Sequence, residues 1–428
     1  MASVVSLNLT INSITLTGQN GSPQVLSTPT TVDFARLVGL RSPLAFQAVA
    51  PDTYTSATFV IASPVIDYVD PVNPAVVDTL NGTFSNPTST SPQTATITVS
   101  FPTAMVVGAN GLAGLHTEFD IRQSLAVNGS GQITGVINPA MYIEAVKAID
   151  PDGQITDLTG TINSGSVNTT TNTFVLQGPY GHQFTIDVTS STGYNNGYTL
   201  ATLPTQGGVA SVQGIFQADG SIQASDVEFI TTDLAFLSGR ILSLSPSTGP
   251  ATSVTLWVGE TGGGTSSLVD TVETVNIGGV SNYAVCFIDS SWFSIANIFS
   301  DSSMLVGQRI FIGGTYSAPT FVPDIISLRR QGVEGVTVAG SVAVTSGNAG
   351  TFEMQNSGLL GYSVGGPLTV DTGVGTVLFL GNSNTLTLTD LQSASATTGV
   401  PVITRGLVLM DQTSGDPVLW AHRVRELQ

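Results

Sequence analysis

The stretch GYSVGG sets Gly361, Ser363 and Gly365 at the spacing of an esterase nucleophile elbow, and Asp390 or Asp411 followed by His422 would complete a serine–acid–histidine order. An elbow needs a strand, a sharp turn and a helix, so that the serine oxygen meets an oxyanion hole. Ser363 is followed instead by GGPLTVDTG, with Pro367 and strand-like alternation. A tight turn is therefore expected there, and a hydrolase using Ser363 is the alternative. AIDPDGQITDL arranges Asp150, Asp152 and Asp157 around a Pro-Asp-Gly turn, offering calcium the oxygen ligands it prefers without the full loop and closing glutamate of an EF-hand. If Phe119 and Ile121 of LHTEFDIRQ face a core, His116, Glu118, Asp120 and Arg122 line the opposite face of a strand. Arg122 would repel a metal ion there, so a solvated face with a cross-pairing arginine is the expected structure. Tyr180, Tyr194 and Tyr198, in GPYGHQFTIDVTSSTGYNNGY, could stack a sugar, with packing as the competing reading. His182 in the same segment reads as a loop histidine, and Cys286 in NYAVCFID as a buried structural thiol.

Composition narrows the choices. The chain has 428 residues, of which 41% are hydrophobic and only 9% charged, with 11 basic residues against 29 acidic ones and a net charge of −18. Its soluble surface must be built from Ser, Thr, Asn, Gln and Gly. A phosphate-tracking groove needs clustered Lys and Arg, so nucleic acid and anionic membrane surfaces are not expected partners. The only lysine, Lys147 in EAVKAID, follows no glycine-rich loop, which excludes a phosphate loop. One cysteine permits no intramolecular disulfide. Spacing singles out no carboxylate pair for glycoside hydrolysis, because such partners lie far apart in sequence. No run of 18 apolar residues occurs, so no transmembrane helix is expected. The start MASVVSLNLT has no basic segment leading into a long apolar one, and reads as a mature exported domain whose signal segment has been replaced by a start codon.

Strands must position whatever chemistry exists. Val5, Leu7, Leu9 and Ile11 alternate with polar residues, and the phase then flips at Asn12-Ser13 to Ile14 and Leu16, as a one-residue bulge would cause. Asn-Gly pairs at 20–21, 81–82, 110–111, 128–129 and 196–197 signal hairpin turns. Short helices are expected in TTVDFARLVGL, which groups Phe34, Leu37 and Val38, and in DSSWFSIANIFSD. The pattern of GVASVQGIFQADGSIQASDVEF, residues 208–229, recurs at 307–328 and 399–427. Each copy follows an opener marked by Gly160, Gly239 or Gly340 before a strand, which suggests three divergent copies of one small β unit.

On these patterns the chain resembles two families. VVSLNLTINSITLTG, VDFARL and the APDTY turn entering TSATFVI resemble an uncharacterised domain common in bacterial envelope lipoproteins (the domain of unknown function 4382 type). The three later copies resemble repeated small β-barrel modules of similar exported proteins (the domain of unknown function 5666 type). The resemblance implies an exported, lipid-anchored envelope protein, and it transfers no active-site residue. The expected fold is all-β: an antiparallel β-sandwich-like domain over 1–154, then barrel-like modules over 155–232, 233–331 and 332–428. The expected function is non-catalytic, as an extracellular or outer-envelope protein that adheres, scaffolds or self-assembles, with a carbohydrate-binding module array as a further alternative. Its partners would be copies of itself or surface glycans and proteins, with calcium the one cofactor considered. For self-assembly, the strand bearing Val5, Leu7, Leu9 and Ile11 is the segment expected to be donated to a neighbour.

Overall fold

The computed structural model describes every residue except 1–2, 39–42, 46, 71–72, 88–90, 110–112, 148–153, 179–181, 196, 287–298, 357–364, 381–383, 412–413 and 428. Alternation of Leu7, Leu9 and Ile11 with polar neighbours makes Ser3–Gly18 a strand with one face inward. It pairs antiparallel with Asp52–Asp70 along nearly its whole length, and its other edge is covered by Gln24–Leu26 and Thr30–Asp33. The register shifts between Ile11 and Ser13, where the sequence predicts a bulge, and Ile14 and Leu16 then return to the core. Asn73–Asn81 and Thr94–Val107 complete a six-stranded sheet. Two smaller sheets, one of Thr83–Phe84, Leu125–Val127 and Ile133–Ile137 and one of Ala113–Phe119 with Met141–Lys147, supply Phe84, Phe119, Ile137 and Ile143 to the same core.

Val5, Leu7, Leu9 and Ile11 are all buried within their own chain, where their strand pairs along its length with Asp52–Asp70. Over the described residues, TTVDFARLVGL forms a turn at 34–38 in place of the expected helix. Asp33 ends a strand paired to the first one, and its carboxylate accepts from the N–H groups of Leu7 (2.9 Å), Ala35 (3.0 Å) and Arg36 (3.3 Å). The cap is thus tied to the sheet.

Each repeated copy forms one sheet, over 154–231, 235–328 and 331–426. In the first, Gln154–Ile162, Thr173–Gln177, Gln183–Asp187, Gly208–Phe216 and Ile222–Thr231 close into a ring of order 1-2-3-5-4-1, with strands three and five parallel. The third repeats this closure with Gln331–Thr337, Ala349–Gln355, Leu368–Leu380, Pro401–Met410 and Pro417–Glu426. This is the strand order of an OB-type Greek-key barrel. In the second, Asn282–Val285 is the parallel partner of the fifth strand, Thr320–Leu328.

The recurring glycines have one physical cause. The fourth and fifth strands of every barrel shift register at a glycine, at Gln213/Gly214, Gly313/Gly314 and Arg405/Gly406. A Cβ on Gly214, Gly314 or Gly406 would strike the carbonyl oxygen of Gln223, Val322 or Trp420 on the facing strand. Only glycine lets the two backbones approach so closely where the sheet bends. In the first strands, Gly160, Gly239 and Gly335 meet the carbonyls of Gln177, Trp257 and Gln355 in the same way. The third opener glycine is thus Gly335. Gly340 lies five residues later, at a turn with φ +72°, and matches the other openers in local sequence alone.

Between strands three and four, the helix Leu388–Ala394 buries Leu388 and Leu391 in the third barrel, while Leu200 of a short 3-10 turn plugs the first. The helix expected in DSSWFSIANIFSD falls mostly outside the described residues, but Phe299 at its end is buried in the second barrel. The barrels also pack on each other. Val209 and Ile230 of the first meet Phe236, Phe311 and Ile325 of the second, and Leu407 and Leu409 of the third join the core of the second.

Candidate ligand cavity and buried arginine cluster

Ten of the eleven cationic residues are arginines, and most of them converge where the barrels and the N-terminal domain meet. Arg329 and Arg330 make up the link between barrels two and three, and both are buried. Arg329 reaches back to barrel one, donating from Nη1 to Glu228 (2.6 Å) and from Nη2 to Asp157 (2.7 Å). Arg309 of barrel two donates to the other Asp157 oxygen and to Glu260 (3.0 Å), which also receives Arg36 of the N-terminal domain. Arg330 donates to Gln213, and Ser211 adds a 2.8 Å bond to Asp157. Asp157 sits at a bulge in its strand with φ +64°, which turns its side chain to this meeting point.

Burial pushes the Asp157 carboxyl up, but the guanidinium groups of Arg309 and Arg329 outweigh it and hold the group well below the ordinary carboxylate range. Glu228 moves the other way, because burial and the nearby Asp157 charge exceed what Arg329 returns. This network is a clamp joining four parts of the chain. It also answers the calcium reading of Asp157, since both carboxylate oxygens are occupied by cations. Asp150 and Asp152 lie outside the described residues.

Beside the clamp lies a cavity of about 1030 Å³, open between the N-terminal domain and barrels one and three. One wall is the inward face of the N-terminal sheet, with Ile11, Leu16, Val32 and Phe59, extended by Phe34 and Leu37 of the Asp33 turn. The opposite wall includes Ile155, Phe216 and Ile222 of barrel one and Ile403 of barrel three. Its size is at the upper end of the roughly 300–1,000 Å³ range of small-molecule pockets.

One end of this apolar space is charged, for reasons of strand periodicity. Val402, Thr404 and Val424 point into barrel three, so Ile403, Arg405, Arg423 and Arg425 must point out of it. Cross-strand pairing sets Arg405 beside Arg423 and Ile403 beside both Arg425 and Glu334. His116 and Glu118 of the strand Ala113–Phe119 reach the same end, and Glu118 is ion-paired with Arg425. Arg423 lies over the Phe379 ring at 4.1 Å. Arg405 is 2% exposed, and its Nε and Nη2 atoms have no hydrogen-bond partner among the described residues. Burial, together with the Arg330 and Arg423 charges, draws its pKa well below the usual arginine value despite the attraction of Asp157.

Glu334, at the same end, is raised to about 7 by burial, with Asp120 and Glu118 adding to the shift and Arg122 opposing it. The folded chain holds this proton more tightly than the unfolded chain, whose reference value is 4.5. Stability from this group is therefore full below about pH 4.5 and lost as pH rises through 7, by on the order of 3 kcal/mol in total. Glu334→Gln is expected to flatten that slope, read as denaturant midpoints across the window.

The remaining sequence candidates are dispersed. Ser363 and Tyr180 lie outside the described residues. Asp390 caps the helix Leu388–Ala394 by accepting from Thr387 N (2.9 Å) and Oγ1 (2.6 Å), and His422 is half-buried, with desolvation and three arginines depressing its pKa. Tyr194 and Tyr198 pack against the core of barrel one, Tyr198 at 4.9 Å from Phe229, so they form no exposed stacking surface. The His116 to Arg122 row is interrupted at Asp120, whose carboxylate caps the turn Ile121–Ser124 and takes Arg122 out of the strand. His182 docks barrel one on the N-terminal domain through Nε2 and the Leu44 carbonyl, 3.1 Å apart. Cys286 is buried and its thiol pKa is pushed up by burial. Among the described residues no group of three or more His, Cys, Asp or Glu is placed to hold a metal ion. HRVRE and LRRQG held the missed signal: in a chain with so few cations, Arg423 and Arg425 at period two, and two adjacent arginines at a module boundary, mark a special surface. Comparison with family models, with curated proteins and with solved structures found no match to this chain.

Proposed function

We propose that the chain is a non-catalytic binding protein that holds an apolar small molecule in the cavity between its N-terminal domain and its barrels. The observation behind this reading is the cavity itself, about 1030 Å³ of mainly aliphatic and aromatic wall assembled from three separate parts of the fold. The clamp of Asp157, Arg309 and Arg329 supports it, because it holds barrels one and two together beside the cavity without needing a ligand. An exported, envelope-associated setting fits the low charge content and the resemblance of both regions to envelope families. The test is titration with a neutral apolar fluorophore. One molecule bound per chain is expected, with binding abolished in Ala113→Trp, where an indole replaces a small residue of the cavity wall. Absence of binding to the native protein, or equal binding by the variant, would reject this function.

A further inference from the structure

We infer that the occupant of the cavity is a monoanionic amphiphile, a long apolar chain ending in a carboxylate that pairs with Arg405. The inference rests on the cavity-binding reading above and names its ligand class.

Arg405 is the central observation. It lines the cavity, is almost wholly enclosed, and leaves two of its three guanidinium nitrogens without a hydrogen-bond partner among the described residues. A buried guanidinium without a counter-charge is among the costliest groups a fold can hold. Its neighbours do not meet the need. Arg425 is already matched with Glu118, and Arg423 adds a further positive charge across the strand pair. Glu334 faces the same end but titrates near neutrality. Asp219, the other carboxylate on the wall, is exposed and bonded to Ser221. Arg405 itself makes no hydrogen bond to a carboxylate among the described residues, and a single ligand carboxylate would supply one. The planar fork of a guanidinium matches a carboxylate, and the dry surroundings strengthen the pair. The remaining apolar volume then takes the chain, placing the ligand head-first against barrel three and its tail along Ile11, Leu16 and Phe59.

The experiment compares hexadecanoate, hexadecanol and acetate as competitors of the neutral fluorophore, each at concentrations where it is monomeric. Hexadecanoate is expected to bind at least about tenfold more tightly than hexadecanol, the ratio one charge-assisted pair supports, and acetate not to compete. In Arg405→Met the two long-chain probes should bind alike, with hexadecanol unchanged from the native protein. The ligand-free variant should melt no lower than the native protein, because the substitution removes an unmatched buried charge. Equal binding of acid and alcohol to the native protein, or a carboxylate preference that survives Arg405→Met, would overturn the inference and leave the cavity reading intact. Failure of both long-chain probes and of the fluorophore would remove the cavity reading itself.

Discussion

Asp157→Asn is expected to cost about 3–5 kcal/mol of folding stability, because the substitution leaves Arg309 and Arg329 buried beside a group that no longer neutralises them. That is a large fraction of the roughly 5–15 kcal/mol that holds a typical domain together. The effect has a pH signature. The folded Asp157 pKa lies below the ordinary 3.8, so its contribution is complete above that value and disappears as pH falls through the folded value. The native protein should therefore lose stability in strong acid faster than the variant does, and the two denaturation midpoints should converge there. Double substitution with Arg329→Met should recover part of the loss, since it removes one stranded cation. A cost below about 1 kcal/mol would mean that the pair is not the clamp its geometry describes.

Phe311→Ala should be comparably severe and different in kind. Phe311 is 1% exposed and points out of its own barrel, stacking on Phe236 at 4.9 Å and packing against Val209 and Ile230 of barrel one. Truncation of a buried phenylalanine costs about 3–5 kcal/mol. Here the loss falls on a contact between barrels, so calorimetry should show the unfolding endotherm broaden or split as barrels one and two uncouple. Phe174→Ala, inside barrel one, should lower the melting temperature without splitting it. A single unsplit endotherm in both variants would show that the Phe311 contact is not what couples the barrels.

The legible parts of this molecule were those fixed by near neighbours. Alternation in residues 5–16, down to the bulge at Ile11/Ser13, is a local pattern, and so is the repeated glycine before each bend of the fourth strand. The all-β class followed from them. Gly335, not Gly340, is the third opener because only the facing strand, brought in by tertiary pairing, makes the close approach that marks it. The clamp was invisible for the same reason on a larger scale. Asp157 meets Arg309 and Arg329 across 152 and 172 residues of chain, and no spacing rule spans that distance. Its acidic neighbours in sequence suggested a cation site. The cations that arrived were side chains.

Trypsin cleaves after lysine and arginine, and this fold keeps most of those bonds inside. Arg309, Arg329, Arg330, Arg405 and Arg425 are buried, and Arg36, Arg240 and Arg423 are half-buried. Proteolysis at such positions requires the surrounding strands to open first, so the digestion rate follows the population of opened molecules rather than the mobility of surface loops. The same arrangement that gathers the positive charge at the centre therefore shields those eight bonds from trypsin-like proteases while the fold is closed, and makes cleavage at them a direct gauge of how often the barrels come apart.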